Sequence, residues 1–411
     1  MRRVSTNMMN DDMRFWLARK EDAMTSMSNK IARQERLENL RDDPMAAAHA
    51  VRYDSFVFRL NRYEKNVQYV QDRARIVEGY MRQTQEIMQR IRELAVAGAN
   101  GTFTKHDTQA MAEEVDQLLA ELVQIANARG PDGDFIFAGD KSRTEPWRTV
   151  MGKTPEAGHS VVSQVLYMGG IASPQAEITE NAYIDMNIPG DSVFWAERQR
   201  VAGSVNASNF RALESSSIFI NGQEIAIKPG DTVHAIIAKI NDSGAAVKAS
   251  LDPANTTLVL EGTEARRIQL DENGTVLRDL GILSGSGVPN DYAVTARVSG
   301  GSLFDVVMNL RNALYTGNQA EISGRALGAI DSAMDNMNRR LAQIGSVMER
   351  LESTALRLNK EIPDVTKLLA DEKDLDITQA ITEYKMMEYT HEASLRMAGK
   401  VLPQTLLEFL R

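Results

Sequence analysis

Apolar residues follow a seven-residue rhythm at both ends of this chain and lose it in the middle. From Phe56 through Leu60, Tyr63, Val67, Val70, Ala74, Val77, Met81, Thr84, Met88 and Ile91 to Ala95, positions alternate four and three apart, with Thr84 the one polar member. Sustained this long, the alternation predicts a single helix whose seam needs a partner helix. Asp42-Asp43-Pro44 predicts its start, with Asp43 as cap and Pro44 at the first helical position. Gly98, ahead of Asn100-Gly101, predicts its end. Such a helix is about 80 Å long at 1.5 Å per residue. Met111, Val115, Leu118, Leu122 and Ile125 continue the rhythm in a second helix, which Gly130-Pro131 is expected to end. Met334, Met337, Leu341, Ile344, Met348, Leu351, Ala355, Leu358 and Ile362 repeat it near the other end, where Pro363 is expected to break or restart the helix. Heptad helices from opposite ends of one chain bury their seams most simply as an antiparallel bundle.

The outermost segments are weaker. Met13, Leu17, Met24, Met27 and Ile31 form one interrupted stripe; Ile377, Ile381, Tyr384, Leu395, Ala398, Leu402, Leu406 and Phe409 form another. An isolated helix with one apolar face is marginal in water, so both need a partner in this chain or in another copy. The middle instead alternates short apolar runs with turn signals. Asp134–Gly139 reads as a strand entering a turn. From Ser217 to Ile282 a compact α+β unit can be drawn. Ile218–Ile220 and Glu224–Lys228 form a hairpin about Asn221-Gly222. Asp231 caps a short helix carrying Val233, Ile236, Ile237 and Ile240, and strands follow near 247–251, 256–261 and 267–270.

Composition sharpens this division. Eight of the 11 prolines and most of the 27 glycines lie between Gly130 and Gly301. Pro and Gly punctuate turns and weaken helices. The expected fold is therefore α + β and multidomain: a long antiparallel heptad bundle from both chain ends, with a β-rich inserted middle that holds a small α+β module. The 411 residues divide at 1–42 (N-terminal amphipathic helix), 43–145 (bundle), 146–301 (outer region, its module at 217–282), 302–362 (returning bundle helices) and 363–411 (C-terminal amphipathic helix).

A net charge of −9 argues against nucleic acid, which asks for a basic face. No apolar run nears the roughly 20 residues that cross a bilayer, so no membrane partner is expected. The opening MRRVSTNMMNDDMRFW has no apolar h-region, so no Sec signal is expected. Absence of Cys excludes disulfides, thiolate metal sites and cysteine nucleophiles.

No constellation for catalysis emerges. His49, His106, His159, His234 and His391 are never within four residues of one another, which excludes a helical metal pair. Gly152-Lys153-Thr154 lacks the first glycine of a P-loop, whose place Trp147 takes. Gly285-Ser286-Gly287 lacks the third glycine of a dinucleotide fingerprint. Adjacent carboxylates at 11–12, 42–43 and 113–114 point about 100° apart on a helix and make poor acid–base pairs. Five Asn-x-Ser/Thr matches are what turn-rich sequence supplies by chance. The chain is expected to be no enzyme, with no cofactor and no metal. Ten of the 20 methionines precede residue 112, which suits either core gap-filling or an adaptable packing surface.

Several stretches resemble one family. The opening Met1–Met9 resembles the start of flagellar hook-associated proteins, and Arg41-Asp42-Asp43-Pro44-Met45-Ala46-Ala47-Ala48 the Asp-Asp-Pro-Ala stretch shared by flagellin-type chains. Arg92–Thr102 looks like the turn after the long flagellin helix, and Gly133–Gly139 is similar to the family's post-helical hairpin. Ile220-Asn221-Gly222, Ile240-Asn241 and Leu280-Gly281-Ile282 resemble the repeat of Ile-Asn type in flagellin variable regions. Leu402–Arg411 looks like the flagellin C-terminal end. The Ser-Gly-Lys-Arg-Ile-Asn stretch usual before Asp-Asp-Pro in flagellins is replaced by Leu37-Glu38-Asn39-Leu40, which favours a hook-associated protein over flagellin proper.

The resemblance implies a structural junction protein of the bacterial flagellum that passes unfolded through the type III export channel. Copies would form a ring-like homo-oligomeric layer, with hook-associated protein 1 on the proximal side, flagellin on the distal side, and an export chaperone as a transient partner. It implies terminal helices poorly ordered in the free monomer that stack on assembly. Assembly is then expected to rest on Met13, Leu17, Met24, Ile31, Leu402, Leu406, Leu407, Phe409 and Leu410, and the joint between inner and outer helices on Asp42, Asp43 and Pro44. Flagellin itself, and a secreted binding module or enzyme acting through residues 140–301, remain alternatives. An external and a periplasmic flagellum are both compatible with the sequence.

Overall fold

The structure is a computed structural model and describes residues 6–37, 43–153, 157–284 and 292–401. It divides into two compact units, residues 66–354 and residues 1–65 with 355–411. In chain order the helices and strands up to the middle are α1 (Thr6–Arg33), α2 (Pro44–Ala99), α3 (Lys105–Ala126), β1 (Trp147–Lys153), β2 (Ser160–Tyr167), β3 (Gln175–Thr179), β4 (Ala182–Asp185), α4 (Gly190–Val193) and β5 (Arg200–Ala202). Then come β6 (Ser216–Ile220), β7 (Gln223–Ile227), α5 (Val233–Asp242), β8 (Val247–Leu251), β9 (Leu258–Gly262), β10 (Leu270–Asn273), α6 (Val276–Asp279) and β11 (Arg297–Ser299). The chain ends with α7 (Leu303–Thr316), α8 (Gln319–Glu321) leading into a π-helical turn at Ile322–Ala326, α9 (Leu327–Lys373) and α10 (Ile377–Val401). Terminal helical regions thus flank a β-rich middle.

In residues 66–354 the heptad seam is buried. Val67, Val70, Val77, Met81, Thr84, Met88, Ile91 and Ala95 are buried, and from Val77 onward the apolar ones share a core with Met337 and Ile344 of α9, completed by α3 and α7. Arg92 Nε meets Asp331 Oδ1 at 2.7 Å and Gln85 Nε2 donates to Asn338 Oδ1 at 3.0 Å, so α2 and α9 run antiparallel. Arg90 to Glu114 (2.8 Å) and Gln83 to Glu121 (3.5 Å) set α3 antiparallel to α2. In α3 it is Leu119, beside the expected Leu118, that is fully buried.

Several elements depart from the sequence pattern. α9 passes through Pro363, which is exposed, so the carbonyl left without its N–H donor can face water. α3 stops at Ala126 rather than at Gly130, because the Asn127 side chain turns away to bond both backbone groups of Trp147, at 2.9 and 2.8 Å. Residues 134–139 make turns with one bridge, Arg129–Phe135, and no strand. Phe135, Ile136, Phe137 and Ala138 are all buried, so no face is left for an alternating strand. Gly139 sits at φ +63, where an added Cβ would lie 2.3 Å from the Gly170 carbonyl oxygen. Phe137 then joins Trp147, Tyr167, Phe194 and Phe304 in a cluster of rings with centroids 4.8 to 6.0 Å apart. Burial holds the Tyr167 phenol well above its ordinary pKa.

The middle has its own core. β10-β6-β7 form one sheet and β11-β5-β9-β8 another, with Ile218, Ile220, Ile227, Ile236, Ile240, Leu258 and Leu260 buried between elements. Asn221 and Gly222, at φ 51 and 81, make the turn of the β6–β7 hairpin. Thr232, not Asp231, caps α5; Asp231 instead accepts from Lys228 N and Lys239 Nζ, which hold its carboxyl below the ordinary range. The strand expected at 256–261 begins at Leu258, because Thr256 adopts a left-handed φ of 49. The strand expected at 267–270 begins only at Leu270, because Gln199 and Asn221 side chains claim the N–H groups of Ile268 and Gln269. β5 and β11 pair directly, so the module leaves the bundle and returns to it side by side.

Charge pairs fasten these parts. Arg311 of α7 has no accessible surface; it bonds Asp116 of α3 at 2.5 Å and the Val162 carbonyl at 2.8 Å. Removing one member of such a pair strands the other in a low-dielectric site. Asp116→Ala is expected to cost about 3–5 kcal/mol in denaturant unfolding of the full chain; a loss below about 1 kcal/mol would show that water reaches Arg311. Asp191 is likewise fully buried, 3.1 Å from Arg266. Burial raises its pKa, against the pull of Arg266, Arg267 and Arg340. A carboxyl whose pKa is raised in the fold takes up a proton on folding, so its contribution to stability grows as pH falls through the folded pKa. Asp191→Asn should flatten the rise in melting temperature on acidification, and an unchanged pH profile would contradict this.

Candidate assembly surface

α1 and α10 solve the problem posed by their interrupted stripes by packing on each other. On α1 the half-buried positions include Met13, Leu17, Lys20, Met24, Met27 and Ile31; on α10 the covered positions include Ala380, Tyr384, Met387, His391, Ser394 and Ala398. Both sets step alternately by four and three. Lys20 Nζ donates to Ser394 Oγ at 2.6 Å, while Gln34 accepts from Leu375 N at 3.0 Å, so the two helices are antiparallel. Small residues on α10, Ala380 and Ala398, are the most deeply buried positions of the pair and allow close approach.

Of the residues expected to drive assembly, Met13, Leu17, Met24 and Ile31 are thus placed on the seam of this pair rather than on its outer face. Leu402, Leu406, Leu407, Phe409 and Leu410 lie outside the described residues. The pair exposes aromatic, methionine and aliphatic side chains, among them Ile377, Ile381 and Leu395, which the sequence pattern placed on the covered stripe. Phe15 and Trp16 are 62% and 58% exposed, Tyr389 74%, Met386 and Met397 64% each. Phe15 and Trp16 meet edge to face at 5.9 Å, and Arg19 lies over the Trp16 ring at 5.6 Å. Met13, Trp16, Leu17, Ala393 and Met397 line a shallow groove, with Asp12, Lys20 and Ser394 at its rim. The available signal was the adjacent Phe15-Trp16 pair itself, which falls off the four-three spacing of the seam.

Asp43 Oδ1 accepts from Ala46 N at 3.1 Å and Pro44 opens α2; Asp42 lies outside the described residues. The C-terminal half of the joint went unread. α9 ends at Lys373, and Asp376 caps α10 by accepting from Gln379 N at 3.0 Å. Asp376-x-x-Gln379 is the spacing of a capping box and could have located it. α1 ends without Gly or Pro: Gln34 adopts φ 60, with its own N–H on Ile31 O and that of Glu35 on Lys30 O. This is the Schellman arrangement, usually reserved for Gly. Among the described residues no group of three His, Asp or Glu could hold a metal, and no helix is long and apolar enough to cross a membrane.

Comparison with known proteins places this architecture. The model of the bacterial flagellin N-terminal helical region matches residues 4–142, and that of the flagellin C-terminal helical region matches residues 327–410, together more than half of the chain. The chain belongs to the flagellin family. Flagellar hook-associated protein 3 of Escherichia coli is 23% identical over 278 residues, 66% of this chain and 83% of that protein. Flagellin D of Vibrio anguillarum is 25% identical over 341 residues, 82% of this chain and 80% of its own length. The crystal structure of flagellar hook-associated protein 3 from Legionella pneumophila aligns over 78% of this chain and 97% of that one, at 17% identity and a TM-score of 0.47. The two matched regions of this flagellin-family chain coincide with the helical ends, and the middle lies between them.

Gln34→Gly relieves the left-handed residue and is expected to stabilise the joint by about 0.5–1 kcal/mol. Slower hydrogen exchange at the Leu375 amide would report it, and faster exchange would contradict it.

Proposed function

We propose that this chain is a structural component of the bacterial flagellum, a junction protein of the hook-associated protein 3 kind that joins the hook-associated zone to the flagellin filament, and not an enzyme. The observation that carries this reading is the match of both helical ends to the flagellin models, together with the similarity to a hook-associated protein 3 over most of that protein's length. The exposed aromatic and methionine surface on α1 and α10 supports it physically. Covering that surface requires another molecule, and copies stacked as a ring-like layer supply one. In this reading hook-associated protein 1 abuts the layer on its proximal side and flagellin on its distal side. The chain reaches its place by flagellar export with a dedicated chaperone, and the middle projects outward.

Flagellin itself is the second reading, favoured by the flagellin match over 82% of the chain. Immunolabelling of detached flagella separates the two: a single band at the hook end is expected, and label along the filament would make the chain a filament subunit. Deleting residues 402–411 should leave a soluble chain that no longer enters flagella; normal motility of that truncation would overturn the reading. Phe15→Ser with Trp16→Ser, at exposed positions, should change unfolding of the isolated chain by less than about 0.5 kcal/mol. Incorporation into flagella is expected to fall at least tenfold.

A further inference from the structure

Where α1 ends and α9 gives way to α10, two short stretches lie side by side. Glu35 is directly opposite Asp374 in an antiparallel bridge. Arg36 N donates to Lys373 O at 2.8 Å and Leu375 N to Gln34 O at 3.0 Å. Charges of alternating sign flank this ladder. Lys373 Nζ is 2.9 Å from Glu35 Oε1, and that contact raises the lysine's pKa. Arg36 Nη2 donates to the Glu372 carbonyl at 2.9 Å and lies 3.6 Å from its carboxylate, which His49 Nδ1 also meets at 3.2 Å.

We propose that this clasp sets the register of α1 against α10, and so decides which side chains the terminal pair presents outward. The seam cannot do this alone. Methionine packs adaptably, and a seven-residue repeat buries nearly the same stripe after slipping by one heptad. Lys20 on Ser394 is a flexible contact at the far end of a long side chain. The clasp, by contrast, rejects slips of either sense. A slip of one heptad would part the two backbone bonds of the bridge and the Lys373–Glu35 and Arg36–Glu372 ion pairs together. Exposed pairs of this kind contribute little stability each, but the slipped register gives up all of them at once. In the clasped register Met397 and Ala393 stand level with Met13, Trp16 and Leu17 and complete the groove. A heptad slip would replace both walls. The inference concerns the chain's own fold and holds whichever flagellar layer it occupies.

The cysteine-free sequence makes the test direct. In the full-length chain, Glu35→Cys with Asp374→Cys introduces the only two thiols, at positions whose backbone separation in an antiparallel pair is within disulfide reach. Mild oxidation should cross-link them within one molecule at least tenfold faster than Glu35→Cys with Thr378→Cys, one helical turn away. Adding Glu372→Arg to the first pair, which turns attraction for Arg36 into repulsion, should slow cross-linking at least fivefold, and Glu372→Gln clearly less. Equal rates for the two cysteine pairs would overturn the proposal, and so would equal effects of Arg and Gln at 372. Neither outcome bears on where in the flagellum the chain resides.

Discussion

The constraint on which everything else rests is that neither end of this chain can bury its own apolar stripe. Each of the terminal segments is one helix with one greasy edge, and in water such an edge has to be covered. The chain covers it with residues from its opposite end: Arg36 meets Glu372 across 336 residues of sequence, and Arg92 meets Asp331 across 239. With the ends paired in this way, the intervening residues can only be an excursion that leaves and returns at one place. The adjacent, hydrogen-bonded strands β5 and β11 are that place for the module, which accordingly has a core separate from the bundle.

Much of this was legible because heptad periodicity is a long-range signal carried by many residues. Eleven apolar positions and a threonine in step outvote any local preference, and α2 runs from Pro44 to Ala99 much as the pattern required. The hairpin at Asn221-Gly222 was legible for the opposite reason, since two residues that tolerate positive φ leave few other conformations. What escaped was decided by tertiary partners. Asn127 ends α3 with a side chain that serves Trp147, 20 residues on. Gln34 ends α1 in a conformation its own sequence does not favour, held by the stretch around Leu375. Pro363 would break a buried helix but not one whose freed carbonyl can reach solvent.

The apolar residues of the terminal helices divide between covered and exposed positions. Looking for the stripe finds the residues with a partner inside the chain, and Met13, Leu17, Met24 and Ile31 turned out to have one. Large apolar residues that stay exposed include Phe15, Trp16 and Tyr389 off the stripes and Ile377, Ile381 and Leu395 on them. Periodicity locates the seam that one chain buries and does not by itself say which exposed residues another molecule covers.

Arg311 adds a temporal dimension to this architecture. Its guanidinium reaches back to Asp116 and Val162, and the apolar residues of α7 share one core with Ile330, Met337 and Ile344 of α9. A chain synthesised or threaded from its N-terminus has α2 and α3 available long before their partners exist. Loop closure over such distances is slow. Until α7 and α9 arrive, Asp116 lacks its counter-charge and the seam of α2 lacks the side of its cover that α9 supplies. Completion of the bundle is thereby coupled to arrival of its final helices, which makes this fold its own timer.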